Sequence, residues 1–374
     1  MPRADVAVVG LGAAGSAILE ALASRGISAV GLDQYAPPHT LGSTHGRSRV
    51  IREAYYESPV YVPLVQRAYR EWERLARESG RHLLTVTGGV MIGPRGSTLV
   101  EGARTSAVTH GLPHEMLTAA EVRKRFPVFA VSDADVGVAE PRAGFLDPEA
   151  CVTACLELAA RKGAEIRTGV RVTGWSRRGD AIRLETGAGP LEAGRVVFAA
   201  GPWLPSLLPA GALPLEIERQ VMYWFTPLRN AGAFAAARCP VFIWEHAPGR
   251  MFYGIPDHGF GFKTAIHHEG ARVSPDQVER TVQADDVATI RELLARAIPD
   301  APGALRESAV CLYTNTPDHH FLLGPHPEEP RVYLASPCSG HGFKFASAIG
   351  AVVAGSLQGE AGPLDLTPFS PARF

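Results

Sequence analysis

Gly10-Leu-Gly12-Ala-Ala-Gly15 constrains this chain more than any other stretch, because of what flanks it. Val6-Ala-Val-Val9 is a short apolar run before it, Ala13 to Ser24 is rich in helix formers and ends at Gly26, and Ile27 to Leu32 is a second apolar run closed by Asp33, 18 residues after Gly15. The pattern predicts strand, turn, helix, strand. In such a unit Gly10 permits the tight turn, Gly12 lets a pyrophosphate approach the backbone, Gly15 lets helix and strand pack closely, and Asp33 accepts from a ribose hydroxyl. The acid at position 33 disfavours a 2′-phosphate and so NADP, leaving FAD or NAD. Gly187-Ala-Gly189 runs into Pro190 without a third glycine, so a single dinucleotide is expected.

The remaining pattern fits a large α/β body with a second part built into it. The length of 374 residues suggests two domains. Pro63 to Ser79 carries Leu64, Val65, Ala68, Trp72 and Leu75 at helical spacing. Residues 85 to 142 break the α/β rhythm, and Pro148 to Lys162 reads as a helix capped by Asp147. Short strands fill Ala164 to Ala200, closing in Arg195-Val-Val-Phe-Ala-Ala-Gly201, a buried strand expected to rejoin the nucleotide-binding sheet. Val221-Met-Tyr-Trp-Phe225 and Phe260 to Ile266 suggest an antiparallel sheet, the expected substrate domain. The tail returns to α/β, with a strand at Val332 to Ala335, a turn at Ser339-Gly-His-Gly342 and a helix from Phe343 to Ser356. The expected fold class is therefore α/β: a discontinuous Rossmann-like FAD-binding domain (1–84, 147–212, 318–374) and an α+β substrate domain on an antiparallel sheet (85–146, 213–317).

Composition excludes several functions. Lys plus Arg is 37 against 38 Asp plus Glu, and no basic stripe offers a footprint for nucleic acid. No apolar stretch reaches the roughly 20 residues needed to cross a bilayer. The amino-terminal apolar run leads into the glycine motif rather than a cleavage site. Cys151, Cys155, Cys239, Cys311 and Cys338 are odd in number and lack a Cys-x-x-Cys pair, which fits a reducing, cytoplasmic setting. Cys151 and Cys155 sit at i, i+4 on one helix and read as core. No metal is expected, because no His-x-His or carboxylate companion lies at ligand spacing and the pairs His267-His268 and His319-His320 would diverge on a strand. Lysine is scarce: Lys124, Lys162, Lys263 and Lys344 stand against 33 arginines, so a Lys kept in a special place invites a chemical reason.

With Pro37-Pro-His39, Gly42-Ser-Thr-His-Gly46, Arg49, Arg52, Cys311-Leu-Tyr-Thr314 and Ser339-Gly-His-Gly-Phe-Lys-Phe345 added to the first motif, the chain resembles the monomeric sarcosine oxidase and N-methyltryptophan oxidase family as far as Asp365-Leu-Thr-Pro-Phe369. The resemblance implies FAD joined through its 8α-methyl group to Cys311, oxidation of a small secondary amino acid by oxygen, release of hydrogen peroxide, and a monomer with no nucleic-acid or membrane partner. It implies that Lys263 lies beside the flavin to stabilise superoxide, that Arg49 lies next to the ring, and that Arg52 and Lys344 bind the substrate carboxylate. It places His267, Tyr253 and Tyr313 on the pocket wall. Ser43, His45, Gly201, Gly340, His341 and Gly342, with Lys344 and the glycine motif, would hold the cofactor. A neutral secondary amine would pass hydride to flavin N5, leaving an imine for water to hydrolyse, with no strong base required.

The chain departs from the family pattern at Pro337-Cys338, at Arg47, where relatives carry an acid, and at Tyr56, where they carry glycine. These bear on the size of the substrate and leave open an oxidase of N-methyl-L-tryptophan or a cyclic imino acid such as pipecolate. Two further readings are a dehydrogenase passing electrons to a non-oxygen acceptor, against which Lys263 argues, and a protein using FAD only structurally, which would make Lys263 and Lys344 accidental.

Overall fold

The computed structural model describes residues 4–209, 211–360, 362 and 364–374. The opening unit forms as its sequence predicts: Ala4–Val9 is a strand, Ala13–Ser24 a helix, and Ala29–Asp33 a second strand parallel to the first. Leu191–Phe198 pairs in parallel with the other side of Ala4–Val9, which is the expected return of the chain to this sheet. Glu165–Thr168 extends the sheet beside Ala29–Asp33, and Glu329–Ser336 joins it through Leu191–Phe198. The helices Ala13–Ser24, Pro148–Arg161 and Ala346–Leu357 pack with Val62–Ser79 in one apolar core. Gly350 lets the helix Ala346–Leu357 come close to Ala13–Ser24, since a Cβ there would lie 2.4 Å from the Ala17 carbonyl oxygen.

A second eight-stranded sheet is built mostly from antiparallel pairs. Glu216–Phe225 runs against both Leu305–Asn315 and Phe262–His267, and the meander continues through Arg250–Ile255 to Val241–Ala247. Val241–Ala247 then pairs in parallel with Gly89–Pro94, which carries Asp135–Glu140 on its other edge. Two distant stretches thus share one sheet, because each has an apolar face that the other completes. A small third sheet, Arg49–Ile51 with Gly144–Leu146 and Leu84–Val86, ties the two bodies together. Its strand Leu84–Val86 spans the expected boundary at 84/85, and Gly144–Leu146 ends at the one at 146/147.

Several local expectations were off by a residue or a turn. The amphipathic helix begins at Val62, after the 3-10 turn Pro59–Tyr61, and stops at Gly80, whose left-handed φ of 70° closes it. Asp147 caps the next helix by accepting from the Ala150 amide at 2.8 Å, and that helix ends at Arg161. The last helix starts as the 3-10 turn Phe343–Phe345. Cys151 and Cys155 are buried core residues, and burial pushes both thiols up.

Lysine scarcity divides cleanly in space. Lys124 lies on the surface, and Lys162 donates to the buried Glu20, itself bound by Arg74, so that three helices share one ion cluster. Lys263 and Lys344 are buried elsewhere.

Candidate active site

A cavity lies where the two sheets meet. It takes in about 1920 Å³ of empty space, part of which is open solvent. Its wall takes Gly10, Gly12, Asp33, Ser43 and Gly201 from the parallel-sheet side and Tyr253, His267, Cys311 and Tyr313 from the antiparallel sheet. Arg49, Arg52, Gly340, His341, Gly342 and Lys344 complete it. Gly15, His45 and Lys263 are the expected site residues that do not line it.

The three glycines of the first motif have different tasks. A Cβ on Gly10 would lie 2.6 Å from the Ala199 carbonyl oxygen, and one on Gly15 only 1.7 Å from that of Gly10, so both are demanded by packing. A Cβ on Gly12 would meet only Thr44 Oγ1, at 3.3 Å. Its bareness serves the cavity. The N-cap residue, Gly12, has no side chain to cap the helix that starts at Ala13; Thr44 Oγ1 accepts only the Ala13 N–H, at 3.2 Å, and the positive end of the helix is set beside the open space. Asp33 accepts the amides of Leu11 and Tyr35, both at 2.8 Å, which fixes its carboxylate at the wall. These features fit the diphosphate and ribose of a dinucleotide.

At the other end the chemistry is cationic. Cys311 is buried, with Sγ 3.6 Å from Arg49 Nη2 and 3.5 Å from the Ser43 carbonyl. Arg49 also donates to the Ser43 and Ser48 carbonyls, each at 3.0 Å. Lys263 stands one layer behind, because the loop of Gly46 and Arg47, both left-handed (φ 99° and 64°), turns carbonyls toward it. Its Nζ donates to Gly46 at 2.7 Å and Ser48 at 2.6 Å, and lies 5.1 Å from the Trp224 ring centre. Glu149, in the first turn of its helix, accepts the Gly46 and Arg47 amides of the same loop. Burial and then Arg49 hold the Lys263 pKa well below its ordinary value. Burial, helped by Arg49 and Lys263, lowers that of His45 to about 3, and His45 Nε2 has no hydrogen-bond partner.

Arg52 is gripped between rings, its guanidinium 4.2 Å from the Tyr55 centre and 4.8 Å from that of Tyr56. Nη2 donates to both carboxylate oxygens of Glu57, at 2.9 and 2.7 Å, and Nη1 to the Ala54 carbonyl at 2.9 Å, leaving Nε without a partner. Lys344 Nζ donates to the His341 carbonyl at 2.6 Å and the Tyr55 hydroxyl at 3.3 Å. Burial and then the Arg52 charge, opposed by Glu57, lower the Lys344 pKa to about 7. The His341 ring is taken up by the scaffold: Nδ1 lies 2.6 Å from the Tyr55 hydroxyl, Nε2 lies 2.9 Å from the His319 carbonyl, and burial lowers its pKa to about 3.

One wall is aromatic. Tyr313 and His267 are in contact through Oη and Nδ1 at 3.3 Å, and Gly340 (φ 77°) lets them close, since a Cβ there would lie 2.7 Å from the tyrosine ring and 2.9 Å from the imidazole. Burial raises the Tyr253 hydroxyl to about 12. Gly342 is required by the preceding turn, for a Cβ would fall 1.4 Å from the Pro337 oxygen. Cys338 lines the cavity, and its Sγ accepts the Thr314 amide at 3.2 Å. The histidine pair does not diverge as expected. The strand stops at His267, and His268 is left-handed (φ 63°), which brings the rings to 4.3 Å.

Sequence reasoning missed Glu57, Tyr55, Gln220, Met222 and Ile243 in or around this wall. Only Glu57 had a signal, an acid five residues after a buried-site arginine.

A model of the FAD dependent oxidoreductase family matches residues 5–355. The chain belongs to that family. It is 42% identical to a monomeric sarcosine oxidase of Streptomyces avermitilis, over all of this chain and 98% of that enzyme. An N-methyl-L-tryptophan oxidase of Yersinia pestis is 34% identical, over 99% of each chain. The fold also matches a solved L-proline dehydrogenase of P. horikoshii, with a TM-score of 0.86 at 22% identity, over all of this chain and 98% of that one. The protein is an FAD-dependent oxidoreductase of α/β class, and among the described residues no helix is long and apolar enough to cross a membrane.

The two motif glycines separate by experiment. Gly15→Ala should cost about 3 kcal/mol or more of unfolding free energy in a denaturant titration, since backbone blocks the new methyl group. Gly12→Ala should unfold within about 1 kcal/mol of the parent yet, in a Cys311→Ser background whose flavin can exchange, retain less FAD on dilution. Equal loss of stability in both would refute the division.

Proposed function

We propose that this protein is an oxidase of N-methyl amino acids, converting sarcosine, oxygen and water to glycine, formaldehyde and hydrogen peroxide. The observation that carries the reading is the pairing of Arg52 and Lys344 on the wall of a cavity that also holds Cys311 and Arg49. When bound, FAD supplies the acceptor for a hydride from the carbon beside the amine nitrogen and returns two electrons to oxygen. Gly10, Gly12, Asp33, Ser43 and Gly201 would hold its nucleotide and linker, with Gly340, His341 and Gly342 along the ring side. Cys311, held beside the Arg49 guanidinium, would carry the 8α thioether.

The protein's own groups bind and orient. Arg52, held by Glu57 and the Ala54 carbonyl, presents its positive charge to a carboxylate, and Lys344 adds a point charge. The buried cations disfavour a protonated amine and so favour the neutral form that reacts. Tyr253, His267 and Tyr313 shape the wall against which the amine lies. Lys263 and Arg49 supply a fixed positive field where negative charge develops as oxygen is reduced. The Tyr56 ring, on the wall and against Arg52, supports a compact substrate. The five-segment division into FAD and substrate domains is supported by the membership of the two large sheets. A cytoplasmic setting is supported by five free cysteines, and a monomer by the likeness to monomeric relatives.

The direct test is peroxide formation under air, as kcat/KM, for sarcosine beside N-methyl-L-tryptophan. Sarcosine should win, with the flavin staying on the chain after acid denaturation and leaving it in Cys311→Ser. Peroxide from neither amine would overturn the reading. Lys263→Met should slow the reaction of reduced enzyme with oxygen by about 100-fold or more while slowing reduction by substrate far less; equal effects would remove it from the oxygen step. Lys344 is charged below pH 7 and neutral above it, so acetate affinity, read from flavin absorbance, should fall as pH rises through about 7. Lys344→Met should lack that dependence.

A further inference from the structure

The strip from Arg52 to Glu57 forms no helix or strand, yet it places Arg52, Tyr56 and Glu57 on the cavity wall. Such a strip needs outside support, because its backbone polar groups are largely withdrawn from water. Three contacts from the substrate side give it. Glu140, the last residue of the strand Asp135–Glu140, accepts the Ala54 amide at 2.7 Å and the Glu53 amide at 3.1 Å through Oε2, with Oε1 at 3.2 Å from the Glu53 nitrogen. Ser106, on the helix Thr98–Thr109, donates to the Tyr55 carbonyl at 2.5 Å. Gly102 on the same helix lies so close that a Cβ would stand 2.2 Å from the Tyr56 oxygen. The Ala54 peptide is the pivot. Its N–H goes to Glu140, and its carbonyl accepts Arg52 Nη1.

We infer that Glu140 is a positioning residue for substrate binding: by fixing the Glu53 and Ala54 amides, it sets the carbonyl against which the Arg52 guanidinium is held and so aims that side chain. The inference rests on the reading of Arg52 as a carboxylate receptor. A carboxyl group is a costly way to tie down two amides in a buried place. Glu140 is buried beside Glu53, and the groups around it are Arg52 on the strip, Tyr69 on the helix Val62–Ser79, and Arg142, whose Nε is 3.7 Å from the Glu53 carboxylate. Burial raises the Glu140 pKa to about 7 even though both amides and Arg52 oppose it. The cost is repaid only if the geometry it fixes matters.

The test compares Glu140→Ala with Glu140→Gln in the FAD-loaded protein. The glutamine oxygen can accept the same two amides; alanine accepts none. Hydrogen exchange in a peptide covering 52–58 should speed by about tenfold or more in Glu140→Ala and stay near the parent rate in Glu140→Gln. The KM for sarcosine should rise about tenfold in Glu140→Ala, more than kcat falls, and glutamine should restore most of it. Should Glu140→Ala not fold, Ser106→Ala, which frees the Tyr55 carbonyl, should move both readouts the same way by less. Parent-like exchange in whichever alanine variant folds would overturn the clamp, and a glutamine variant as poor as alanine would show that charge, not aim, is the cause. Faster exchange without a rise in KM, where Arg52→Ala does raise it, would overturn the positioning role. If Arg52→Ala also leaves KM unmoved, the carboxylate reading of Arg52 is what fails, while the clamp stands on the exchange rates.

Discussion

Positive charge held out of water at one end of one cavity is the constraint on which the rest of the site depends. Arg52, Lys263 and Lys344 are buried and Arg49 is half-buried in the wall, while Glu57 is the carboxylate bonded to Arg52. An isolated buried ammonium would cost several kcal/mol. Arg52 apart, the chain offsets this with carbonyls rather than acids: Gly46 and Ser48 for Lys263, His341 for Lys344, Ser43 and Ser48 for Arg49. Carbonyl dipoles hold a cation without cancelling its charge. The field therefore remains available to an anion entering the cavity, which a set of ion pairs would not leave.

That arrangement explains why two unlike sheets must meet. Carbonyls turned toward Lys263 come from a loop anchored by Glu149 on a helix of the parallel-sheet body, whereas Lys263 itself stands on the antiparallel sheet. Cys311 likewise reaches Arg49 and the Ser43 carbonyl from Leu305–Asn315. Neither body alone completes the cluster. Glycines at crowded points make the approach possible: Gly46 beside Met222, and Gly342 under the Pro337 carbonyl.

The parallel-sheet half was legible because its signals are local. Gly10 to Asp33 writes strand, turn, helix and strand within one short stretch, and each part needs only its neighbours in sequence to form. Lys263 and Lys344 were visible as lysines in a chain that otherwise uses arginine, though only space shows that Lys162 and Lys124 have ordinary tasks. Glu140 was not visible as a site residue, and Glu57 only through its place five residues after Arg52. A surface acid and a buried clamp look alike in sequence, and Glu140 meets Ala54 across 86 positions. His268 was misread for a related reason: alternation predicts divergence only while the strand continues, and the left-handed turn that ends it has no glycine to announce it.

The pairing of Arg52 with Glu57 gives the resting site a particular energetics. Arg52 donates through Nη1 to the Ala54 carbonyl and through Nη2 to Glu57, so its charge is already met by one carboxylate. A carboxylate arriving beside Arg52 brings a second negative charge close to the first. Lys344 is the group able to absorb that repulsion. Burial and the Arg52 charge lower its pKa to about 7, and an arriving carboxylate favours its protonated form. Under the proposed function, substrate binding is then coupled to uptake of a proton by the protein. Its affinity reflects the balance of three charges, so changing Glu57 should alter binding through Lys344 as well as through Arg52.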